Sequence, residues 1–142
     1  PSRSQVPSYQ ALKQEVEQTV GRINGLLAQD GWTPIQYFYR SFSLTELLPY
    51  LLISNFALIT PLRDGMNLVC KEYCAAHFDT EGVLILSELA GAAHELTDAL
   101  LVNPYSMDEV VEAIHHALSM PKKEVSRRMK ALRKTIQKND IH

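Results

Sequence analysis

The residues best suited to chemistry lie in one polar run, Arg63 to Glu72, which reads Arg-Asp-Gly-Met-Asn-Leu-Val-Cys-Lys-Glu. The run follows a short apolar segment and leads into a predicted helix. Backbone amides at a helix N-terminus, here those of residues 67–69, attract anions through unpaired N–H groups and the helix dipole. Gly65 permits close backbone approach to a ligand. The pattern therefore predicts an anion-binding loop, and the alternative is that Asp64 and Asn67 only cap the helix.

Two other clusters carry weaker signals. Cys70, Cys74 and His77 recur at i, i+4 and i+7, a spacing that could face one metal ion but is more typical of a helix face packed on a sheet. The small-residue segment Ser87 to Glu95 permits close backbone approach, but it is not a GxGxxG fingerprint and lacks the lysine of a phosphate loop. Neither a GxSxG elbow nor an HExxH motif occurs in the sequence. We therefore expect neither a metal site nor a bound cofactor.

Helical and extended segments alternate along the chain, and these elements must position the polar run. The predicted strands are Thr33–Tyr39, Phe56–Thr60, Gly82–Leu86 and Ala99–Val102. The predicted helices run from Ser8 to about Ala28, onward from a capping box of Ser43 and Glu46, from Asn67 to about His77, from a second box of Ser106 and Glu109 to Met120, and after Pro121. This alternation predicts an α/β fold, a Rossmann-like parallel sheet with helices on both faces.

The apolar strands 56–60 and 82–86 are expected to be buried on both faces, as in parallel sheets. Ligands of such sheets bind at the carboxyl ends of the strands. The loops after Tyr39, Thr60 and Ser87 should therefore form the functional rim.

Composition excludes several classes of protein. The chain has 142 residues, a formal charge of −2 and 46% hydrophobic residues, as expected of a globular domain. No apolar run approaches the roughly 20 residues of a membrane span, and the first residues do not resemble a signal peptide. The two cysteines are four residues apart on a predicted helix, where disulfide geometry is poor. We therefore expect a cytoplasmic protein with no membrane partner.

The basic residues are concentrated at one end of the chain. Eight of the 14 Lys and Arg residues lie between Lys122 and Lys138. A basic tail can bind nucleic acid, but Val125, Met129, Leu132 and Ile136 recur at helical spacing and form an apolar stripe. We therefore predict a docked amphipathic helix over residues 122–142, following a domain over residues 1–121, and no nucleic-acid partner.

The eleven residues Arg63 to Tyr73 resemble the donor-sugar loop of the trehalose-6-phosphate synthase family. Other stretches resemble the family in the same order, namely Pro1–Tyr9, Gly21–Gly25, Gly31–Ile35, Leu86–Ala93 and Val102–Tyr105. Position 70 is more often a small apolar residue in that family, and cysteine there should be tolerated in a packed helix.

The resemblance implies a retaining glucosyltransferase that moves glucose from UDP-glucose to glucose 6-phosphate and forms α,α-trehalose 6-phosphate. Family members have two Rossmann-like domains of the GT-B type facing a cleft. This sequence resembles most of the C-terminal half only, so the N-terminal domain is an expected partner and the piece alone should be inactive. Whether the whole protein forms homo-oligomers is left open.

The resemblance also implies roles for individual residues. Asp64 is the residue expected to act at the transferred glucose, and the acceptor phosphate is expected to contact Arg3. The residues expected to bind the donor UDP-glucose are Phe42, Asp64, Gly65, Met66, Asn67, Leu68, Val69, Cys70, Lys71 and Glu72. Within this set Glu72 would bind the ribose hydroxyls, and the main chain of Phe42 would meet the uracil. Two alternatives stay open, a synthase with another acceptor, such as one making glucosylglycerol phosphate, and a non-catalytic regulatory subunit.

Overall fold

The computed structural model describes residues 7–139, which fall into two compact units dividing between Ser41 and Phe42. The first unit contains helix α1 (Pro7–Leu27). The second contains, in chain order, α2 (Leu44–Ile53), β1 (Phe56–Ile59), α3 (Leu68–Ala76), β2 (Val83–Ser87), a short 3₁₀ helix (Gly91–His94), β3 (Leu100–Val102), α4 (Met107–Ser119) and α5 (Lys122–Asn139). Between residues 7 and 139 there is no helix with the length and apolar character needed to cross a membrane.

The segment Thr33–Tyr39, predicted as a strand, is irregular, so that prediction is wrong. The Asn24 side chain occupies both backbone groups of Ile35, donating from Nδ2 to the carbonyl (2.9 Å) and accepting at Oδ1 from the amide (3.0 Å). Pro34 has no amide hydrogen to donate. These groups of Pro34 and Ile35 are therefore not available to a strand ladder. The loop after Tyr39 therefore follows no strand.

The other three predicted strands form one parallel sheet in the order β1-β2-β3. Ala57 lies opposite Leu84, and Ile85 lies opposite Leu100. Strand β2 is buried along its whole length, as predicted for a central parallel strand. Strand β1 is not, since Leu58 is 42% exposed. This difference arises because β1 is an outer strand of the sheet, whereas β2 lies between two neighbours.

Helices pack against both faces of β2. Leu84 and Leu86 belong to a buried core with residues of α3 and α5, including Tyr73 and Met129. Side chains alternate between the two faces of a strand, so Ile85 points the other way. It is fully buried there, where α4 packs on β2 and β3. The layered α/β arrangement predicted from the sequence is confirmed.

Both predicted capping boxes lie at helix starts, but only the first is reciprocal. At α2 the Ser43 hydroxyl accepts from the Glu46 amide, and the Glu46 carboxylate accepts from the Ser43 amide at 2.9 Å. At α4 the Ser106 hydroxyl accepts from the Glu109 amide, whereas the Glu109 carboxylate accepts from the Asn103 amide at 2.9 Å. The second carboxylate thus ties the end of β3 to α4.

Helix α5 is docked on the sheet through its predicted apolar stripe. Met129 is fully buried and Leu132 is 2% exposed. Two of its basic side chains hydrogen-bond to main-chain carbonyls, Arg128 to Asp98 (3.0 Å) and Arg133 to Ala75 (2.6 Å). The basic residues of this helix therefore include anchors to the domain.

We expect Leu132→Ala to lower the free energy of unfolding by about 2–5 kcal/mol, because it leaves a cavity in this core. Equilibrium urea denaturation should show the transition midpoint shifted to lower urea. Lys130→Ala, two residues away on the exposed side of α5, serves as the control and should stay within about 0.5 kcal/mol of the parent. Equal midpoints for both variants would contradict the docked position of α5.

Candidate functional site

The polar run after β1, here called the rim loop (residues 63–67), lies at the carboxyl ends of the strands. It lies beside the segment that follows β2, here called the second loop (residues 88–94), which includes the short 3₁₀ helix. The Gly91 amide donates to the Asp64 carbonyl at 2.9 Å, and the Ala92 amide donates to the Met66 carbonyl at 3.0 Å. Two loops far apart in sequence thus meet at one edge of the sheet. This confirms the predicted rim for the loops after β1 and β2.

The Asp64 carboxylate is held at both oxygens. Its Oδ1 accepts from the Met66 amide (3.1 Å), and its Oδ2 accepts from the Asn67 side-chain amide (3.0 Å). These hydrogen bonds, that of the Met66 amide above all, lower the pKa of Asp64, so the side chain is ionised at neutral pH. An ionised carboxylate has about four acceptor directions, which leaves capacity for a bound hydroxyl.

Asn67 joins the rim loop to α3. Its side-chain Oδ1 accepts from the Cys70 amide at 3.0 Å and caps the helix. Its backbone has φ 74° and ψ 94°, a conformation that L-residues rarely adopt. Such strain amounts to roughly 1–3 kcal/mol and persists only where surrounding contacts enforce it. The capping interpretation is therefore right for this side chain, and the same cap fixes the first turn of α3.

Two backbone amides at the start of α3 remain available. Those of Leu68 and Val69 have no acceptor among residues 7–139, and the two side chains are 61% and 43% exposed. They belong to the first four N–H groups of the helix, which have no partner inside it. An anion placed here would satisfy both amides and meet the positive end of the helix dipole.

Cys70, the predicted donor-binding residue that follows Val69 in the chain, faces the core. Its thiol donates to the Asn67 carbonyl at 3.0 Å and is fully buried. Burial raises the pKa of Cys70 to about 11 and that of Cys74 to about 12, so both thiols are protonated at neutral pH. Cys70, Cys74 and His77 all lie in the interior, and the structure from residue 7 to residue 139 holds no cluster of three His, Cys, Asp or Glu suited to a metal ion.

The remaining predicted site residues are Lys71 and Glu72 on α3, Phe42 before α2, and Arg3. On α3, the Lys71 ammonium pairs with the Glu95 carboxylate at 3.0 Å, and Glu72 is half-buried. Phe42 is half-buried and packs edge-to-face on Tyr50, with ring centroids 5.9 Å apart. Arg3 lies outside the described residues.

The two loops enclose an open groove of about 480 Å³. It is lined by Arg63, Asp64, Gly65, Glu88, Leu89, Ala90, Gly91 and His94. Sequence reasoning placed the second loop on the rim but assigned no site role to Glu88 or His94. The only local signal was the small-residue segment between them, which says nothing about which polar neighbours face the groove.

Free helix amides and a fixed carboxylate at the carboxyl edge of a parallel α/β sheet are the arrangement by which Rossmann-like proteins hold nucleotides and their phosphates. The chain belongs to glycosyltransferase family 20, whose model matches residues 1–142. This confirms the family resemblance carried by residues 63–73.

Three individual proteins of known name show how similar this chain is to members of the family. The chain is 51% identical over 142 residues to the trehalose-6-phosphate synthase of Klebsiella pneumoniae subsp. pneumoniae, covering 99% of this chain and 30% of the relative. It is 50% identical over 133 residues to the glucosylglycerol-phosphate synthase of Picosynechococcus sp., covering 94% and 27%. A solved structure, described as trehalose-6-phosphate from E. coli bound with UDP-2-fluoro glucose, is 48% identical with a TM-score of 0.92, covering 99% and 31%. The chain thus spans about 30% of the length of the curated relatives it matches.

Proposed function

We propose that this chain is the sugar-nucleotide-binding part of an enzyme that transfers glucose from UDP-glucose to glucose 6-phosphate, giving α,α-trehalose 6-phosphate and UDP with retention at the anomeric carbon. The observation that carries the proposal is the rim loop, which sets an ionised Asp64 beside the free amides of Leu68 and Val69. The synthase of Klebsiella pneumoniae is about three times as long as this chain, which supports a second part that completes the active site. The buried, unpaired Cys70 and Cys74 support a reducing, cytoplasmic setting.

The chemistry of the reaction fits the groups at the rim. When UDP departs, negative charge builds on the diphosphate while the sugar becomes oxocarbenium-like. Amides already fixed at the start of α3 stabilise such charge without reorganisation. In this proposal the amides of Leu68 and Val69 face the diphosphate, and the Asp64 carboxylate accepts a hydrogen bond from a glucose hydroxyl.

The other site residues keep proposed roles that follow the family resemblance. Gly65 and Met66 contact the transferred glucose, and the Glu72 carboxylate binds the ribose hydroxyls. The Phe42 main chain meets the uracil, and Arg3 contacts the acceptor phosphate. The Cys70 and Lys71 side chains are already engaged with Asn67 and Glu95, so any donor contact there would use other atoms or a rearranged ion pair.

A second acceptor is favoured by one specific finding, the 50% identity to a glucosylglycerol-phosphate synthase. The test is UDP release by the full-length protein containing this chain, with UDP-glucose and either glucose 6-phosphate or glycerol 3-phosphate. We expect glucose 6-phosphate to give the higher kcat/KM by at least about tenfold, equivalent to about 1.4 kcal/mol. A preference for glycerol 3-phosphate would establish the second candidate. UDP binding without transfer to either acceptor would overturn both and favour a regulatory subunit.

A further inference from the structure

We infer that Gly91 is a positioning residue for sugar transfer, because its backbone and its missing side chain fix the rim loop in the shape that presents Asp64. This inference rests on the proposed function. It concerns a residue on the loop after β2, outside the run to which sequence reasoning assigned donor contacts.

Backbone contacts hold the rim loop to the second loop. Asp64 and Ala90 form an isolated parallel bridge. The two hydrogen bonds from the Gly91 and Ala92 amides to the Asp64 and Met66 carbonyls, here called the clasp, measure 2.9 and 3.0 Å. The clasp therefore bonds the carbonyl groups on either side of Gly65, those of Asp64 and Met66, close to the Asp64 carboxylate.

The clasp leaves no room for a side chain at position 91. A Cβ added to Gly91 would lie 2.0 Å from the Gly65 carbonyl oxygen and 2.7 Å from its carbonyl carbon. Ordinary carbon–oxygen packing needs roughly 3.5 Å, and the obstacle is backbone that no rotamer change can move aside. Any larger residue must separate the two loops by more than about 1 Å at this point.

The second loop is the fixed partner in this contact. Ala90 and Ala92 are each 1% exposed and belong to the hydrophobic core. The Ala90 amide donates to the Ser87 carbonyl at the end of β2 (3.1 Å), and the Leu96 amide donates to the Ala92 carbonyl (2.9 Å). By contrast, Gly65 and Met66 are exposed. A side chain at position 91 would therefore displace the rim loop, and Asp64 with it.

The test is Gly91→Ala in the full-length protein, assayed for UDP-glucose-dependent transfer. We expect kcat/KM for UDP-glucose to fall at least tenfold, with the acceptor KM within twofold of wild type. Gly21→Ala in α1 is the matched control, because a Cβ there meets nothing within 4 Å and alanine favours a helix. That control should stay within twofold of wild type.

Three results overturn the inference in that assay. The first is a folded Gly91→Ala variant whose kcat/KM for UDP-glucose stays within twofold of wild type. The second is a Gly91→Ala variant whose kcat/KM values for donor and acceptor and whose melting temperature all fall together. The third is a Gly21→Ala control that loses as much kcat/KM for UDP-glucose as Gly91→Ala. A wild-type protein without transfer activity would instead refute the proposed function.

Hydrogen exchange on the wild-type protein tests whether the clasp forms, even if Gly91→Ala fails to fold or transfer is absent. The Gly91 and Ala92 amides should be protected in the free protein, since both donate in the clasp. Adding UDP should slow their exchange further. Exchange at the rate of an unstructured peptide, with or without UDP, would show that the clasp is not formed and would overturn the inference.

Discussion

Replacing Asp64 with alanine in the full-length protein should lower kcat/KM for glucose transfer at least about 100-fold, equivalent to about 2.7 kcal/mol of transition-state stabilisation. The variant loses the acceptor for the glucose hydroxyl and also frees the Met66 amide and the Asn67 side chain, which the carboxylate now holds. Asp64→Asn should lose less activity than Asp64→Ala, because the asparagine oxygen can still serve as one of these acceptors. The loss that remains reflects the missing charge and the missing second acceptor. Steady-state assays with UDP-glucose varied measure both variants.

Asp79 offers a matched control for this experiment. Its Oδ1 accepts from the Glu81 amide two residues on, at 3.1 Å, as Asp64 accepts from Met66. The amide of Glu81 likewise lowers the pKa of Asp79. Asp79 precedes β2, however, and so lies at the opposite end of the sheet from the rim. Asp79→Ala should keep transfer within twofold of wild type, and comparable losses in both aspartate variants would show a general effect on folding rather than a site at Asp64.

The fold was predictable where its signals are local. Capping residues such as Ser43 and Ser106, and apolar runs such as residues 82–86, act within a few positions of the elements they start or form. Thr33–Tyr39 carries strand-like residue types too, yet it is irregular because Asn24, on α1, takes the backbone groups of Ile35. Asn24 and Ile35 are eleven residues apart in the sequence, and the local composition of the segment gives no sign of this contact.

The candidate site shows the same division. The residue types from Asp64 to Val69 predicted a helix N-terminus with free amides, and α3 begins there with Leu68 and Val69 unpaired. The positive φ of Asn67 and the clasp from Gly91 were not predictable. Backbone-to-backbone contacts select only for small residues, and a small-residue loop is common in proteins with no such contact. The groove residues Glu88 and His94 were missed because the small-residue segment between them does not indicate which polar neighbours face the groove.

The site differs from a surface helix end in one respect that an experiment can isolate. The first four amides of any helix have no partner inside it, and a side-chain cap commonly satisfies one of them, as Asn67 does for the Cys70 amide. What is particular here is that the free amides of Leu68 and Val69 follow directly on a loop whose carboxylate, that of Asp64, is held in place. If these amides stabilise a departing diphosphate, removing one should affect transfer without affecting α3.

Val69→Pro makes that change, and we expect it to lower kcat/KM for UDP-glucose about 100-fold, the loss typical of one transition-state hydrogen-bond donor. Proline is tolerated in the first turn of a helix, where its missing N–H has no helical partner. Val69→Ala keeps the amide while removing most of the 43% exposed side chain, so it should stay within about threefold of wild type. Circular dichroism and the melting temperature should match for the two variants. Equal activities in Val69→Pro and Val69→Ala, with both proteins folded, would contradict a role for this amide, because the two variants differ chiefly in that one N–H group and in the ring that replaces it.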